Sequence, residues 1–174
     1  MKSKPLRLIP LLPRILLTVL WAALCAAFLG APLLEASGHF RAAAILYAFF
    51  SPICHQDPAR SFTLSGCQWA VCHRCSGIYF GLLLASLLPF KLTALVDQPR
   101  RRRLWVLCAT IPLLLDVFMP LAGFWTNTPV SRFATGLIFG AMLSSLLVPA
   151  VGDFIREARW KRQNLRANAL GGSS

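Results

Sequence analysis

Hydrophobic residues fill four long stretches of this chain, at residues 15–34, 76–95, 104–124 and 133–151, and most polar residues lie between them. A helix that crosses the hydrocarbon core of a bilayer needs about 20 mostly apolar residues. All four stretches meet this length. The pattern therefore predicts an all-α, polytopic membrane protein with about four transmembrane helices.

The connection between the first two stretches, at residues 36–75, contains a shorter apolar segment at residues 41–53. This segment is too short to span a bilayer and is typical of an interfacial or re-entrant helix, which Pro52 is expected to end. We predict a single integral membrane domain at residues 1–155, followed by a basic tail at residues 156–174.

Composition and charge support a membrane location and argue against a nucleic-acid partner. The chain is 56% hydrophobic and only 14% charged, whereas an average soluble domain is about a quarter charged. Its net charge is +12, from 18 Lys and Arg residues against 6 Asp and Glu residues. Most of the Lys and Arg residues lie before the first stretch, between the second and third, or after the fourth. Since positive residues favour the cytoplasmic side, both termini are predicted to be cytoplasmic. The segment at residues 36–75 then faces the periplasm or the cell exterior from the inner (plasma) membrane.

Four of the six cysteines lie in this predicted outer segment, and two histidines are directly beside them. Zinc is held in tetrahedral geometry by Cys and His side chains, often from two separated clusters of which one is a C-x-x-C pair. The spacing predicts a zinc site formed by Cys54, Cys72 and Cys75. The fourth ligand is left open among His55, Cys67, His73 and a water molecule, and with water the site is of the catalytic type.

Other interpretations of these cysteines remain open. The oxidising space outside the cytoplasm favours disulfides, which four cysteines can form in three pairings. Cys72 and Cys75 also lie at the predicted start of a helix, where the thiol pKa is lowered, as in thiol–disulfide oxidoreductases. The chain is therefore a zinc protein, a quinone-linked oxidoreductase, or a non-enzymatic transporter or assembly factor. The nearly apolar inner halves of the predicted helices argue against transport.

One acidic residue, Asp116, lies well inside a predicted membrane helix. A buried carboxylate is costly in a bilayer, so it either has a function or forms a structural ion pair. Asp116 and His55 are the candidate acid/base residues. Arg74 or Arg132 is the candidate ion-pair partner of Asp116.

Arginines near the predicted outer face suggest an anionic ligand, because the guanidinium group fits phosphate and carboxylate. Beside a bilayer, such a ligand is an anionic lipid or a phosphate-bearing, lipid-linked molecule. Alternatively, the arginines pair with carboxylates and with the phosphates of the surrounding lipid. The candidate substrate-binding residues are Arg60, Ser61, Arg74, Asn127 and Arg132.

Glycines recur at a spacing of four residues in two of the apolar stretches, as Gly77 and Gly81 and as Gly136 and Gly140. Small residues at this spacing let two helices approach closely in a membrane. The pattern predicts helix packing here rather than ligand binding.

The chain resembles a family of small prokaryotic membrane proteins that is catalogued as a domain of unknown function. The resemblance rests on Cys-His-Gln-x-Pro-x-Arg-Ser-Phe at residues 54–62 and Cys-x-Arg-Cys-x-Gly-x-Tyr-x-Gly at residues 72–81. Asp116, Asn127 and Arg-x-x-Thr-Gly at residues 132–136 also fit. The resemblance implies a polytopic membrane fold and brings no established activity.

The resemblance also separates the cysteines and histidines into two groups. The signature positions include His55 and the three cysteines predicted to bind zinc, but they do not include Cys67 or His73. The resemblance therefore argues against Cys67 as a metal ligand and against a disulfide between Cys54 and Cys67.

Overall fold

The structure is a computed structural model that describes residues 11–88, 99–124 and 126–171. Within this part of the chain, helices dominate, as predicted. In chain order the elements are α1 (Leu11–Ala36), α2 (Phe40–Phe50), a 3-10 turn (Pro58–Arg60), strands β1 (Ser61–Leu64) and β2 (Cys67–Cys72), α3 (His73–Leu87), α4 (Pro99–Leu121) and α5 (Pro129–Gly171).

Two helices of the described chain are long and apolar enough to cross a membrane, judged by length and composition: α1 and α5 as far as Leu165. The apolar part of α4, Thr110–Leu121, is shorter. The second predicted stretch, at residues 76–95, ends outside the described residues. Four of the basic residues used to predict orientation also lie outside them, namely Lys2, Lys4, Arg7 and Lys91. Four transmembrane crossings therefore stay a prediction.

The prediction of an all-α fold was wrong for the segment at residues 36–75, which contains a small antiparallel sheet. Strands β1 and β2 form a hairpin joined by Ser65 and Gly66, whose φ angles are 54° and 82°. Two consecutive residues with positive φ form the type I′ turn, whose twist matches that of a two-stranded hairpin. The hairpin lies directly before α3, so the end of β2 leads into the first turn of α3.

The short outer helix predicted at residues 41–53 is present as α2. It ends at Phe50, followed by a turn that contains Pro52, so the proline limits the helix as expected. The backbone N–H of Cys54 donates to the oxygen of Phe50 at 2.9 Å. Cys54 therefore lies directly after the last turn of α2.

An aromatic cluster packs the hairpin against the helices. Phe28 of α1 is fully buried. Its ring lies 6.2 Å from that of Phe50 in α2, 5.7 Å from Trp69 in β2 and 5.9 Å from Tyr79 in α3, measured between centroids. Tilted and edge-to-face pairs at these distances are favourable. Because four elements meet at Phe28, the cluster fixes the hairpin over the ends of α1 and α3.

Helices α3 and α5 pack with their backbones in direct contact, which confirms the packing role predicted for the glycines. A Cβ atom at Gly77 or Gly81 would overlap backbone carbonyl oxygens of α5, and one at Gly136 or Gly140 would overlap those of α3. Only residues without a side chain allow this approach. The first turns of α3 and α5 are thereby held side by side.

The tightness of this contact can be tested with a single methyl group. Gly140→Ala is expected to lower the free energy of unfolding by about 1–3 kcal/mol, because the two backbones must separate to make room. Gly30→Ala in α1 is the matched control, since nothing lies within 4 Å of a Cβ there and alanine is the better helix former. Thermal unfolding in detergent measures both variants. Equal stability of the two would contradict direct backbone contact.

Helix α5 has 43 residues, which corresponds to roughly 65 Å at a rise of about 1.5 Å per residue. The basic segment predicted as a tail from residue 156 continues this helix as far as Gly171. Gly152 lies beside the side chain of Pro13 in α1. The last part of α5 therefore extends roughly 30 Å past the first turn of α1.

Candidate metal centre

Three cysteines come together where α2, β2 and α3 meet. The Sγ atoms of Cys54, Cys72 and Cys75 all lie within 4.8 Å of one another. Cys54 follows α2 and is buried. Cys72 ends β2 and occupies the N-cap position of α3, and Cys75 lies in the first turn of α3. These are the three thiols that the spacing of the sequence assigned to zinc.

The arrangement of these sulfur atoms suits a tetrahedral metal ion. A Zn–S distance of about 2.3 Å places two ligand sulfurs about 3.8 Å apart, and the observed separations lie within 4.8 Å. All six cysteines of the chain are free thiols in the structure. The three sulfurs can therefore converge on one ion after only small side-chain movements.

The surroundings of Cys72 favour its thiolate form, whereas its hydrogen-bonded neighbours and burial raise the pKa of Cys75. The Sγ atom of Cys54 accepts a hydrogen bond from the backbone N–H of Cys72 at 3.1 Å. Hydrogen bonds from the thiols of Cys54 and Cys75 hold the pKa of Cys72 well below its ordinary value. The N-terminus of α3 adds to this effect, since it stabilises negative charge. Thiolates are the form of cysteine that binds metals.

Gln56 positions the loop that carries Cys54. Its backbone has a φ angle of 52°, which is uncommon for a residue with a side chain. Its side-chain Nε2 donates to the backbone oxygens of Tyr47 in α2, at 2.7 Å, and Ala70 in β2, at 2.9 Å. By joining these two elements, Gln56 sets Cys54 opposite Cys72. Its place in the Cys-His-Gln signature was the available sequence signal for this role.

A cavity of about 560 Å³ opens beside the three thiols. Most of the predicted site residues lie on its wall. These are His55, Arg60, Arg74, Asp116, Asn127 and Arg132, together with the three cysteines. Ser61 is not on the wall, because it is buried and its hydroxyl donates to the backbone oxygen of Asp57 at 2.9 Å. The substrate-binding role predicted for Ser61 has no support in this geometry.

Arg74, rather than Arg132, is the ion-pair partner of Asp116. The guanidinium of Arg74 contacts the carboxylate of Asp116 in an ion pair, and the hydroxyl of Ser131 donates to the other carboxylate oxygen at 3.0 Å. The side chain of Asn127 donates to the backbone oxygen of Asp116. Only 5% of the Asp116 side chain is exposed. A neutralised and fixed carboxylate of this kind suits a structural ion pair better than an acid/base role.

The three arginines on the cavity wall differ in their partners. Arg60 forms an ion pair with Asp57 at 3.2 Å, and Arg74 pairs with Asp116. Within the described part of the chain, the guanidinium of Arg132 has neither a carboxylate nor a hydrogen-bond partner. The wall therefore carries one positive charge that no described carboxylate neutralises.

The other candidate ligands do not join the three sulfurs. His73 is buried against the ring of Phe62, with centroids 4.3 Å apart. Cys67 starts β2, and burial together with the carboxylate of Glu35 raises the pKa of its thiol. His55 is exposed on the cavity wall. Among the described residues, no fourth Cys, His, Asp or Glu belongs to the group of mutually close ligand atoms.

Comparison with known proteins places the three cysteines within a stretch that matches a protein family. Residues 54–146 match the family described as predicted membrane protein (DUF2085). An uncharacterised protein of Methanocaldococcus jannaschii is 36% identical over 110 residues, covering 63% of this chain and 70% of the relative. An uncharacterised protein of Methanothermobacter thermautotrophicus is 40% identical over 101 residues, covering 56% of this chain and 86% of the relative. No solved structure matches the chain.

Proposed function

Because the chain belongs to the DUF2085 family of predicted membrane proteins, we propose that it is a membrane metalloprotein whose Cys54, Cys72 and Cys75 bind one zinc ion. The observation that carries this proposal is the convergence of three Sγ atoms within 4.8 Å of one another beside an open cavity. Thiolates are soft ligands that bind zinc well, and zinc prefers tetrahedral coordination and has no redox chemistry.

The three cysteines, with no fourth ligand beside them among the described residues, form the donor set of a catalytic rather than a structural zinc site. Structural sites have four protein ligands, whereas catalytic sites have three and keep the fourth position for water or substrate. When bound, zinc would lower the pKa of a water molecule at that position and polarise a substrate oxygen. Zinc deaminases include sites with three cysteines that do this. We assign His55 on the cavity wall as the residue that accepts or donates the proton.

We propose that the site faces the periplasm or cell exterior and that the chain crosses the inner membrane four times, with cytoplasmic termini. The distribution of Lys and Arg along the sequence supports this topology. A site at this position takes its substrate from the membrane surface. We therefore propose a lipid or an anionic, lipid-linked molecule as the substrate class, which the arginines of the cavity wall support.

The test is the metal content of the full chain, purified in neutral detergent without chelators. Mass spectrometry is expected to find about one zinc per chain. Removing that zinc with a chelator is expected to expose the thiols of Cys54, Cys72 and Cys75 to alkylation. A metal-free protein in which Cys72 and Cys75 are joined by a disulfide would overturn the zinc proposal.

That second outcome would support a different function, a quinone-linked thiol–disulfide oxidoreductase. The observation in its favour is the position of Cys72 at the N-cap of α3 with a lowered pKa, followed by Cys75 in the first turn. This is the arrangement of an attacking thiolate and its resolving partner. Turnover would then require both cysteines, and addition of zinc would inhibit it.

Gln56→Asn tests the positioning of Cys54. Asparagine keeps the amide and tolerates positive φ, but its side chain is one methylene too short to reach both Tyr47 and Ala70. We expect zinc affinity to fall by about 10–100-fold, as when a group that orients a metal ligand is lost. Competition with a chromophoric chelator measures this, and Gln163→Asn on the exposed end of α5 is the matched control. Unchanged affinity in Gln56→Asn would contradict the assigned role.

A further inference from the structure

We infer that the cavity binds the phosphate group of an amphiphilic ligand, and that Arg132 is the residue that holds this phosphate. The inference deepens the proposed function and rests on it, since it names the chemical class of ligand that approaches the metal position. Its evidence is independent of the cysteines. It comes from the charges on the cavity wall, from the fixed position of Arg132, and from the apolar part of the wall.

The charges of the wall leave Arg132 available for a ligand. Asp57 and Asp116 lie on the wall, and each already has an arginine partner. Arg132 has none among the described residues. The guanidinium of Arg132 is not fully buried, so its N–H groups remain accessible from the cavity. A phosphate in the cavity would accept two parallel hydrogen bonds from it.

The backbone that carries Arg132 is fixed before any ligand arrives. Thr128 and Ser131 form reciprocal hydrogen bonds at the start of α5: each hydroxyl accepts from the other residue's backbone N–H, at 3.2 and 3.1 Å. Such a pair is a variant of the capping box, which defines where a helix begins. Ser131 also donates to Asp116 at 3.0 Å, which joins this turn to α4. Arg132 therefore extends from a rigid turn, which lowers the entropy that binding must overcome.

The rest of the wall suits hydrocarbon rather than water. Ile53, Val117, Pro120 and Leu121 line the cavity. Ile53 is 62% and Leu121 78% exposed, so the apolar part of the wall reaches the molecular surface. A small hydrophilic phosphate would leave this apolar surface uncovered. A ligand with a phosphate at one end and hydrocarbon at the other fits both parts of the wall.

The experiment is a titration of the full chain in neutral detergent with three probes: dioctanoyl phosphatidic acid, dioctanoylglycerol and inorganic phosphate. It compares the wild type with Arg132→Gln, Arg132→Lys and Arg41→Gln. Arg41 is an exposed arginine of α2 that is not on the cavity wall, so its variant controls for charge alone. We expect phosphatidic acid to bind the wild type and Arg41→Gln equally. Affinity should fall by about tenfold or more in Arg132→Gln and by less in Arg132→Lys.

The probes distinguish the source of the phosphate. If inorganic phosphate binds as tightly as phosphatidic acid and depends on Arg132 in the same way, the phosphate site stands and its ligand is a free phosphate. Binding of dioctanoylglycerol with equal affinity would overturn the inference, because the phosphate would then contribute nothing. Equal losses in Arg132→Gln and Arg41→Gln would also overturn it, since they indicate a general effect of charge.

Zinc content, measured on the same samples, separates this inference from the proposed function. Arg132→Gln is expected to keep its zinc, because Arg132 is not a metal ligand. If the variant loses zinc and keeps phosphatidic acid, Arg132 serves the thiolates as a counter-ion and the inference is wrong. A zinc-loaded wild type that binds no phosphate refutes the inference alone. A zinc-free wild type refutes the proposed function whatever ligand it binds.

Discussion

Cys54→Ser is expected to weaken zinc binding by more than about a hundredfold. A serine hydroxyl stays protonated at neutral pH and is a poor zinc ligand, so the site falls from three protein ligands to two. The loss exceeds the 10–100-fold typical of groups that only orient a ligand. Cys54 is also buried and accepts the backbone N–H of Cys72, so its replacement removes both a ligand and a contact between two elements.

Cys67→Ser is the matched control, because it makes the same chemical change in the same segment of the chain, at residues 36–75. Cys67 lies outside the group of three sulfurs, and its replacement is expected to leave zinc affinity unchanged. Both variants are assayed by competition with a chromophoric chelator after size-exclusion chromatography. Equal loss of zinc in the two variants would make Cys67 the fourth ligand. Full zinc retention in Cys54→Ser would contradict the metal centre described above.

Asp116→Ala is expected to lower the free energy of unfolding by about 3–5 kcal/mol, the usual cost of removing one partner from a buried ion pair. The guanidinium of Arg74 would stay in place without its carboxylate, and the hydroxyl of Ser131 would lose its acceptor. Thermal and chemical unfolding in detergent measure the change. The double variant Arg74→Met/Asp116→Ala is expected to recover a large part of it, because no unpaired charge remains.

Asp153→Ala is the matched control for this prediction. Asp153 pairs with Arg156 on the surface of α5, where both side chains are more than 60% exposed. Exposed ion pairs contribute little because water and salt screen them. The control is therefore expected to unfold like the wild type. An Asp116→Ala variant as stable as the control would mean that the ion pair with Arg74 does not hold α3 to α4.

Features that depend on spacing along the chain could be predicted from the sequence. The C-x-x-C pair and the upstream cysteine identified the three thiols. Two cysteines three residues apart can bind the same metal ion, and a separate upstream cluster supplies the third ligand. The glycine pairs predicted close helix packing for a similar reason, since positions four residues apart share one helix face, but they did not identify α3 and α5 as partners. Both predictions needed only local geometry.

Features that depend on how helices cross could not be predicted. The choice between Arg74 and Arg132 as partner of Asp116 is decided by the rotation of α3 and α5 against α4, which no sequence pattern encodes. The signature position of Gln56 marked the residue but not its role, because its partners are backbone oxygens of Tyr47 and Ala70, which no sequence pattern identifies. The hairpin is a different case, because Ser65-Gly66 is a turn signal from which it could have been predicted.

The length of α5 has a practical consequence for experimental structure determination. A membrane protein of this size has little mass outside the detergent micelle, so particle images contain few features for alignment. Helix α5 continues past the first turn of α1 without interruption as far as Gly171. A soluble domain can be fused so that its first helix continues α5 without a break. The domain would then be rigidly connected to the part of the protein that contains the cysteine cluster. Such a fusion supplies the fiducial that electron cryomicroscopy needs, at the end of the helix opposite Arg132.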